Sequence, residues 1–259
     1  MSRLELGQVP EHSFFIKRTL PALRFGADDG EQMALFSALA AGPVTRERMA
    51  ERLAGCEDGE DLARRMRWLR RDALVALVGR DATGACGFEE VVRTMTDLAE
   101  VTVDATVRLH ARELARRHGV PLSAAGEPQD LIVVGMGKLG GEELNVSSDI
   151  DLIFLYDEDG ETGDFGAFRA RRPVSNHEFF TKLAKRVIPA LNDVEGSGFV
   201  FRVDMRLRPF GDAGPIVSNS AMLEEYLYTE GREWERFAWL KARAVNRPVF
   251  GTDAGFEQA

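Results

Sequence analysis

The stretch LIVVGMGKLGGEELNVSSDIDLIFLYDED, Leu131 to Asp159, carries two incompatible messages. An apolar run enters it, glycines follow, and a second apolar run leaves it. By letter, Gly135-Met136-Gly137-Lys138-Leu139-Gly140 is a GxGxxG dinucleotide fingerprint. That reading needs a full crossover helix leading to a second strand. Only Lys138 to Ser148 is available for it. This span holds Gly140, Gly141, Asn145, Ser147 and Ser148, all poor residues for a helix interior. It also leaves Asp149 and Asp151 without a purpose.

The second reading starts from those carboxylates. Leu131–Val134 and Ile150–Tyr156 are strand candidates, and in a strand residues i and i+2 share a face. Asp149 and Asp151 then stand side by side while Ile150 and Leu152 point into the core. Adjacent carboxylates repel, and a divalent cation relieves the repulsion. Mg2+ suits such a place, since it takes one or two carboxylates plus water and substrate phosphates. The bland alternative is a pair of solvated acids at a strand edge.

A second constellation bears on the choice. FVFRVDMRLRPFG, Phe199 to Gly211, predicts a strand over Phe199 to Leu207. Arg202, Asp204, Arg206 and Arg208 fall on one face of it, and Phe201, Val203, Met205 and Leu207 on the other. Asp204 would complete a three-carboxylate cation site. Arg206 and Arg208 match phosphate oxygens in geometry and charge. The alternative is a charge-paired edge strand. The glycines then take a new role: Gly140 and Gly141 let backbone amides approach a phosphate, with the charge of Lys138 beside it. Ser147 and Ser148 either donate to phosphates or shape the turn.

The surroundings are those of an ordinary globular chain. It has 259 residues, 44% hydrophobic and 29% charged, and a net charge of -9. This excludes broad nucleic-acid or anionic-membrane binding while leaving room for local basic patches. No apolar run suits a membrane span, and the N-terminus lacks a signal-peptide core. Cys56 and Cys86 lie far apart and read as reduced thiols, so a cytoplasmic setting is expected. Residues up to about Gly119 read as helical. Glu31–Ala41 and Thr45–Ala54 are short helices separated by Gly42-Pro43. Leu62, Met66, Leu69, Ala73 and Leu77 mark one face of the next helix, and Arg64, Arg65, Arg67, Arg70 and Arg71 read as its solvated side. Phe88 to His118 is a long amphipathic helix. GVPLSAAGEPQD reads as a linker, and residues 160 to 173 as a polar loop. Asn176 is the expected cap of a helix carrying Phe180, Leu183, Val187 and Leu191. Ala221–Leu227 and Arg232–Arg243 read as helices. In the latter, Trp234, Phe237 and Ala238 read as the buried stripe rather than an adenine platform, and Lys241 and Arg243 are candidate phosphate ligands. His12, His110, His118 and His177 lie outside the motifs and read as surface or capping residues. The ending TDAGFEQA has no closing element, which suggests part of a longer protein.

Three ordered motifs resemble a known family. GMGKLGGEELNVSSDIDLIF, VFRVDMRLRPFGDAGP and GREWERFAWLKARAV are similar to the bacterial glutamine-synthetase adenylyltransferase/adenylyl-removing enzymes. MRWLRRDALVALVGRDATG in the helical region extends the likeness more loosely. The resemblance implies an α+β, polymerase-beta-like nucleotidyltransferase fold. It places a helical N-terminal region at 1–122, the catalytic core at 123–218 and a helical segment at 219–259. It implies Asp149, Asp151 and Asp204 as catalytic, Mg2+-binding carboxylates, with one or two ions. Lys138, Gly140, Gly141, Ser147, Ser148, Arg206, Arg208, Lys241 and Arg243 become the nucleotide- and phosphate-binding set. The implied protein substrate is glutamine synthetase, with ATP, ADP, AMP and phosphate as small ligands and the PII signal protein as a partner of the full-length enzyme. The motif wording resembles the adenylyl-removing half, whose reaction is phosphorolysis of adenylyl-tyrosine to ADP and free tyrosine. Forward adenylyl transfer from ATP, or a non-catalytic nucleotide- or PII-sensing module, are the competing readings.

Overall fold

The computed structural model describes residues 3–23, 28–196 and 198–251. Helices come first: α1 (Val9–His12), α2 (Phe14–Leu23), α3 (Asp29–Ala40), α4 (Arg46–Leu53), α5 (Gly59–Ala82) and α6 (Phe88–His118). Local chemistry sets their starts. Asp28, Thr45 and Asp58 each accept the backbone N–H three residues on, satisfying a donor that the first helical turn leaves free.

The second half is mixed: β1 (Val120–Pro121), β2 (Ile132–Gly135), α7 (Gly137–Gly140), β3 (Ile150–Tyr156), β4 (Thr162–Gly163), α8 (Asn176–Asn192), β5 (Val203–Asp204), β6 (Ser218–Asn219), α9 (Ser220–Thr229), α10 (Glu233–Ala238) and β7 (Arg243–Ala244). The chain is therefore α+β, with a sheet ordered β5-β3-β2-β7 and β6 also on β3. β2 runs antiparallel to both β3 and β7, whereas β5 and β6 run parallel to β3. β5 meets β3 at Ile150 and Asp151, and β6 meets it at Leu155 and Tyr156. Residues 205–217 leave the sheet between these two pairings.

Alternation sorts the sheet residues. Leu131, Val133, Ile150, Leu152, Phe154 and Tyr156 join the large core with α4, α5, α6 and α8. Ile132, Val134, Met136, Ile153 and Leu155 form a second core against Leu223, Leu227, Ala238 and Trp239. The register explains both sets, since Val133 faces Phe154 while Ile132 faces Leu155. Fully burying each such side chain is worth about 1.5–3 kcal/mol. α1, α2 and α3 make a third cluster on α5 through Ile16, Leu20, Phe36 and Val75.

Several expectations need correction. The stretch from Gly119 to Asp130 is no plain linker, because β1 pairs with β4 and Leu122 bridges Pro128. Ser175, not Asn176, caps α8; Asn176 is buried and donates to the carbonyls of Leu122 and Glu158. The arginines of α5 are not all solvated. Arg67 is buried and pairs with Glu195, and Arg70 lies over the rings of Phe199 and Phe201. His110 and His118 are buried as well, against Glu113 and the Arg172 carbonyl. The strand expected over Phe199–Leu207 shrinks to Val203–Asp204, because Val200 and Phe201 donate to the Leu191 carbonyl at the end of α8. The helix expected over Arg232–Arg243 ends at Ala238, and Arg243 enters β7. Trp234 and Phe237 are 53% and 73% exposed, so they are not the buried stripe. Cys56 and Cys86 are free thiols, and burial raises the pKa of each. Among the described residues, no helix is long and apolar enough to cross a membrane.

Candidate active site

The antiparallel pairing of β2 with β3 removes the dinucleotide reading of the glycine run. A βαβ unit needs parallel strands and a crossover helix of several turns. Here the helix between them is the four-residue α7. The glycines instead let main chains approach. A Cβ on Gly140 would lie 2.1 Å from the Lys241 carbonyl oxygen and 2.5 Å from that of Gly135. Gly137 adopts a φ of +55°, and a Cβ there would reach within 3.0 Å of Asp151 Oδ2. The run closes the turn between β2 and β3 tightly against both β7 and the carboxylate.

Asp151 and Asp204 are directly paired in register on the parallel strands β3 and β5, with Asp149 two residues upstream of Asp151. Arg202 pairs with Asp149, and its Nη2 also donates to the Ser147 carbonyl at 3.0 Å. Arg206 chelates Asp204. Its Nε lies 3.0 and 2.9 Å from the two carboxylate oxygens, and its backbone N–H donates to Oδ1 at 2.9 Å. Asp151, half-buried, has no such counter-ion. Burial and the charges of Asp204 and Asp149 raise its pKa, while Arg206 holds that of Asp204 below the usual carboxylate range.

These carboxylates are hard oxygen donors whose mutual repulsion a cation would relieve, so the donor set suits Mg2+. Among the described residues, no three Asp, Glu, His or Cys side chains converge as they stand to hold an ion. Arg202 and Arg206 occupy oxygens of Asp149 and Asp204. A groove of about 800 Å3 between α4, α6 and residues 243–247 contains none of the three aspartates. The aspartates sit on an open rim, and their chemistry, rather than depth, marks the site.

The family model for glutamate-ammonia ligase adenylyltransferase matches residues 24–254. The chain belongs to this family. It is 51% identical over 218 residues to the bifunctional glutamine synthetase adenylyltransferase/adenylyl-removing enzyme of Ralstonia nicotianae, a match covering 82% of the chain and 22% of the relative. Against the protein of the same name from Burkholderia mallei it is 52% identical over 216 residues, 81% of the chain and 23% of the relative. The Nitrosomonas eutropha counterpart is 46% identical over 210 residues, 78% of the chain and 22% of the relative. The chain thus spans about a fifth of the length of the curated relatives it matches.

Around the carboxylates of this family member, the other expected residues divide. Lys138 Nζ lies 3.5 Å from Ser148 Oγ, so both border the site. Ser147 and Ser148 point their hydroxyls at Asn145 Oδ1, at 3.2 and 2.9 Å, and so shape the turn. Lys241 lies beside Gly141 and pairs with Glu143 at 3.0 Å. Arg208 is engaged elsewhere: its Nη1 donates to the Met205 carbonyl at 2.8 Å and pairs with Asp212 at 3.5 Å, and its Nε is buried without a hydrogen-bond partner. Arg243 is engaged by the buried Glu100 of α6 and lies 3.5 Å from the Gly140 carbonyl. Arg208 and Arg243 therefore brace the site's loops. Sequence reasoning missed Glu100: it shares its face of α6 with Asp97 and Asp104, so local pattern did not set it apart as buried.

Proposed function

We propose that this chain forms a polymerase-beta-like nucleotidyltransferase core that removes AMP from adenylyl-tyrosine on glutamine synthetase by phosphorolysis. The observation that supports it is the placement of Asp151 and Asp204 on paired positions of two parallel strands, with Asp149 beside them and a glycine turn packed against Asp151. The core is assigned to 123–218, following the helical region 1–122 and preceding the helical segment that begins at 219. The motif wording of the three signature stretches favours the removing half.

In this reading inorganic phosphate attacks the AMP phosphorus. The new P–O bond gives ADP, the bond to the tyrosine oxygen breaks, and the phenolate takes a proton from solvent. Asp149, Asp151 and Asp204 would hold Mg2+, which supplies charge neutralisation for the phosphoryl group and the leaving phenolate. Arg206 and Lys138 offset the repulsion between two anions that must meet. Gly137 keeps the turn clear of Asp151. Because the nucleophile is already anionic, no histidine base is needed. In the full-length enzyme an adenylylating half and the PII protein would complete the regulation of nitrogen assimilation in the cytoplasm.

Incubating the folded chain with AMP-modified glutamine synthetase, Mg2+ and phosphate tests this. ADP release with recovery of unmodified tyrosine is expected. Failure to release ADP, alongside AMP incorporation when ATP is supplied to unmodified synthetase, would assign the forward reaction instead.

A further inference from the structure

We infer that Arg206, with Arg202 in support, is an exchangeable counter-ion that trades its carboxylate for a phosphate only when a divalent cation takes its place. The inference rests on the cation site proposed above and adds an order of binding to it. Asp149, Asp151 and Asp204 are offset here by Arg202, Arg206 and Lys138, while Arg208 is paired with Asp212, so the cation-free site has no excess positive charge to hold phosphate. Arg206 engages both oxygens of Asp204 from only two residues away, so a cation shared with Asp151 must compete with it for them.

The arginine is nonetheless free to leave. Its side chain is 76% exposed, whereas that of Asp204 is 16% exposed. All of its side-chain hydrogen bonds go to Asp204. Once Asp204 shares its oxygens with a cation, Arg206 loses its hydrogen-bond partner and keeps only the longer-range attraction of Asp212 and Asp151. The site then gains two positive charges, and the released guanidinium can fork onto phosphate oxygens. Arg202 differs in being tethered also to the Ser147 carbonyl, so it stays near Asp149 while its charge is redirected. Cation and phosphate binding are thereby positively linked, and the linkage is reciprocal.

Titration calorimetry on the intact chain tests this without turnover. Mg2+ and inorganic phosphate are each titrated alone and in the presence of the other. Each is expected to tighten the other's binding by about fivefold or more, the lower range of coupling between linked sites. Arg206→Gln removes the internal competitor. Mg2+ should bind this variant more tightly than wild type, while phosphate binds more weakly and, as the decisive readout, the coupling collapses. Arg206→Lys, checked for native circular dichroism as Arg206→Gln is, should restore part of the coupling. Mg2+ binding that Arg206→Gln leaves unchanged or weakens, or coupling that persists in it, would overturn the exchange while leaving the cation site standing. Absence of Mg2+ binding to wild type would overturn both.

Discussion

Asp151 and Asp204 face each other across two parallel strands, yet the guanidinium of Arg206 sits on Asp204 and Asp151 is left with burial and two neighbouring negative charges. An acid whose pKa rises on folding binds more protons in the native than in the unfolded state between the two pKa values. Stability therefore falls as pH rises through that window, and the whole deficit is present above the folded pKa. Asp151→Asn should raise the cation-free melting temperature at pH 7. The advantage should vanish below the ordinary aspartate value of about 3.9. A melting temperature unchanged or lowered at pH 7 would contradict the electrostatic picture.

Asp204→Asn tests the chemistry rather than the fold. Charge stabilisation of this kind is commonly worth about 100-fold or more in rate. ADP release should fall by at least that factor, while the circular dichroism spectrum stays native because Asp204 lies on the site's rim.

Gly140→Ala should disrupt the turn. Its Cβ would meet two carbonyl oxygens of the backbone, and neither can move aside as a side chain could. Overpacking typically costs about 1–3 kcal/mol, and backbone contacts place this variant at the upper end. Denaturant unfolding at equilibrium would measure it.

Glu100→Ala should be among the more damaging single changes in α6. The carboxylate is buried and accepts from both Arg46 of α4 and Arg243 of β7. Its loss removes the buried acceptor that both arginines share and leaves them Asp97 and the more exposed Glu142, at about 1–3 kcal/mol. Glu100→Gln should cost less, since it keeps an acceptor.

Asn246→Ala should loosen the sheet. The Asn246 side chain accepts from the Val133 N–H at 2.7 Å and donates to the Leu131 carbonyl at 2.8 Å, extending the ladder of β2 beyond β7. Leaving the Val133 N–H buried and unpaired costs about 1–3 kcal/mol. Hydrogen exchange at Val133 should accelerate more than at Phe154 on the neighbouring strand.

The central strand was legible because an apolar run, broken only by Asp151, follows a turn, and Ile150–Tyr156 is where it lies. The long helix over Phe88–His118 was equally plain, since Gly87 and Gly119 bracket a sustained apolar stripe. Alternation singled out Asp149, Asp151 and Asp204, and the structure pairs the last two in register, although the extended segment around Asp204 is far shorter than its letters suggest. Polar and apolar residues alternate through Leu207, but the main chain departs at Met205 and turns at Phe210, which has a φ of +61°. Arg67 and Arg70 looked solvated because their partners, Glu195 and the rings of Phe199 and Phe201, lie more than a hundred residues away. β7 is two residues long and exists only because β2 offers an edge, so local pattern held no trace of it.

The two short strands that share one edge of β3 have a consequence for how this site can diversify. β5 anchors residues 203–204 beside Asp151, and β6 recaptures the chain at 218–219 beside Tyr156. The intervening excursion, with Arg206 near its start and Phe210 at its turn, is pinned at both ends by pairings that do not depend on its length. Leu207, Ile216 and Val217 tie its flanks to the two cores, so change is best absorbed at its exposed turn, around Phe210 and Asp212, without shifting the aspartates by a register step. The rim facing the carboxylates can thus be reshaped by sequence drift or by design while the carboxylates stay in place.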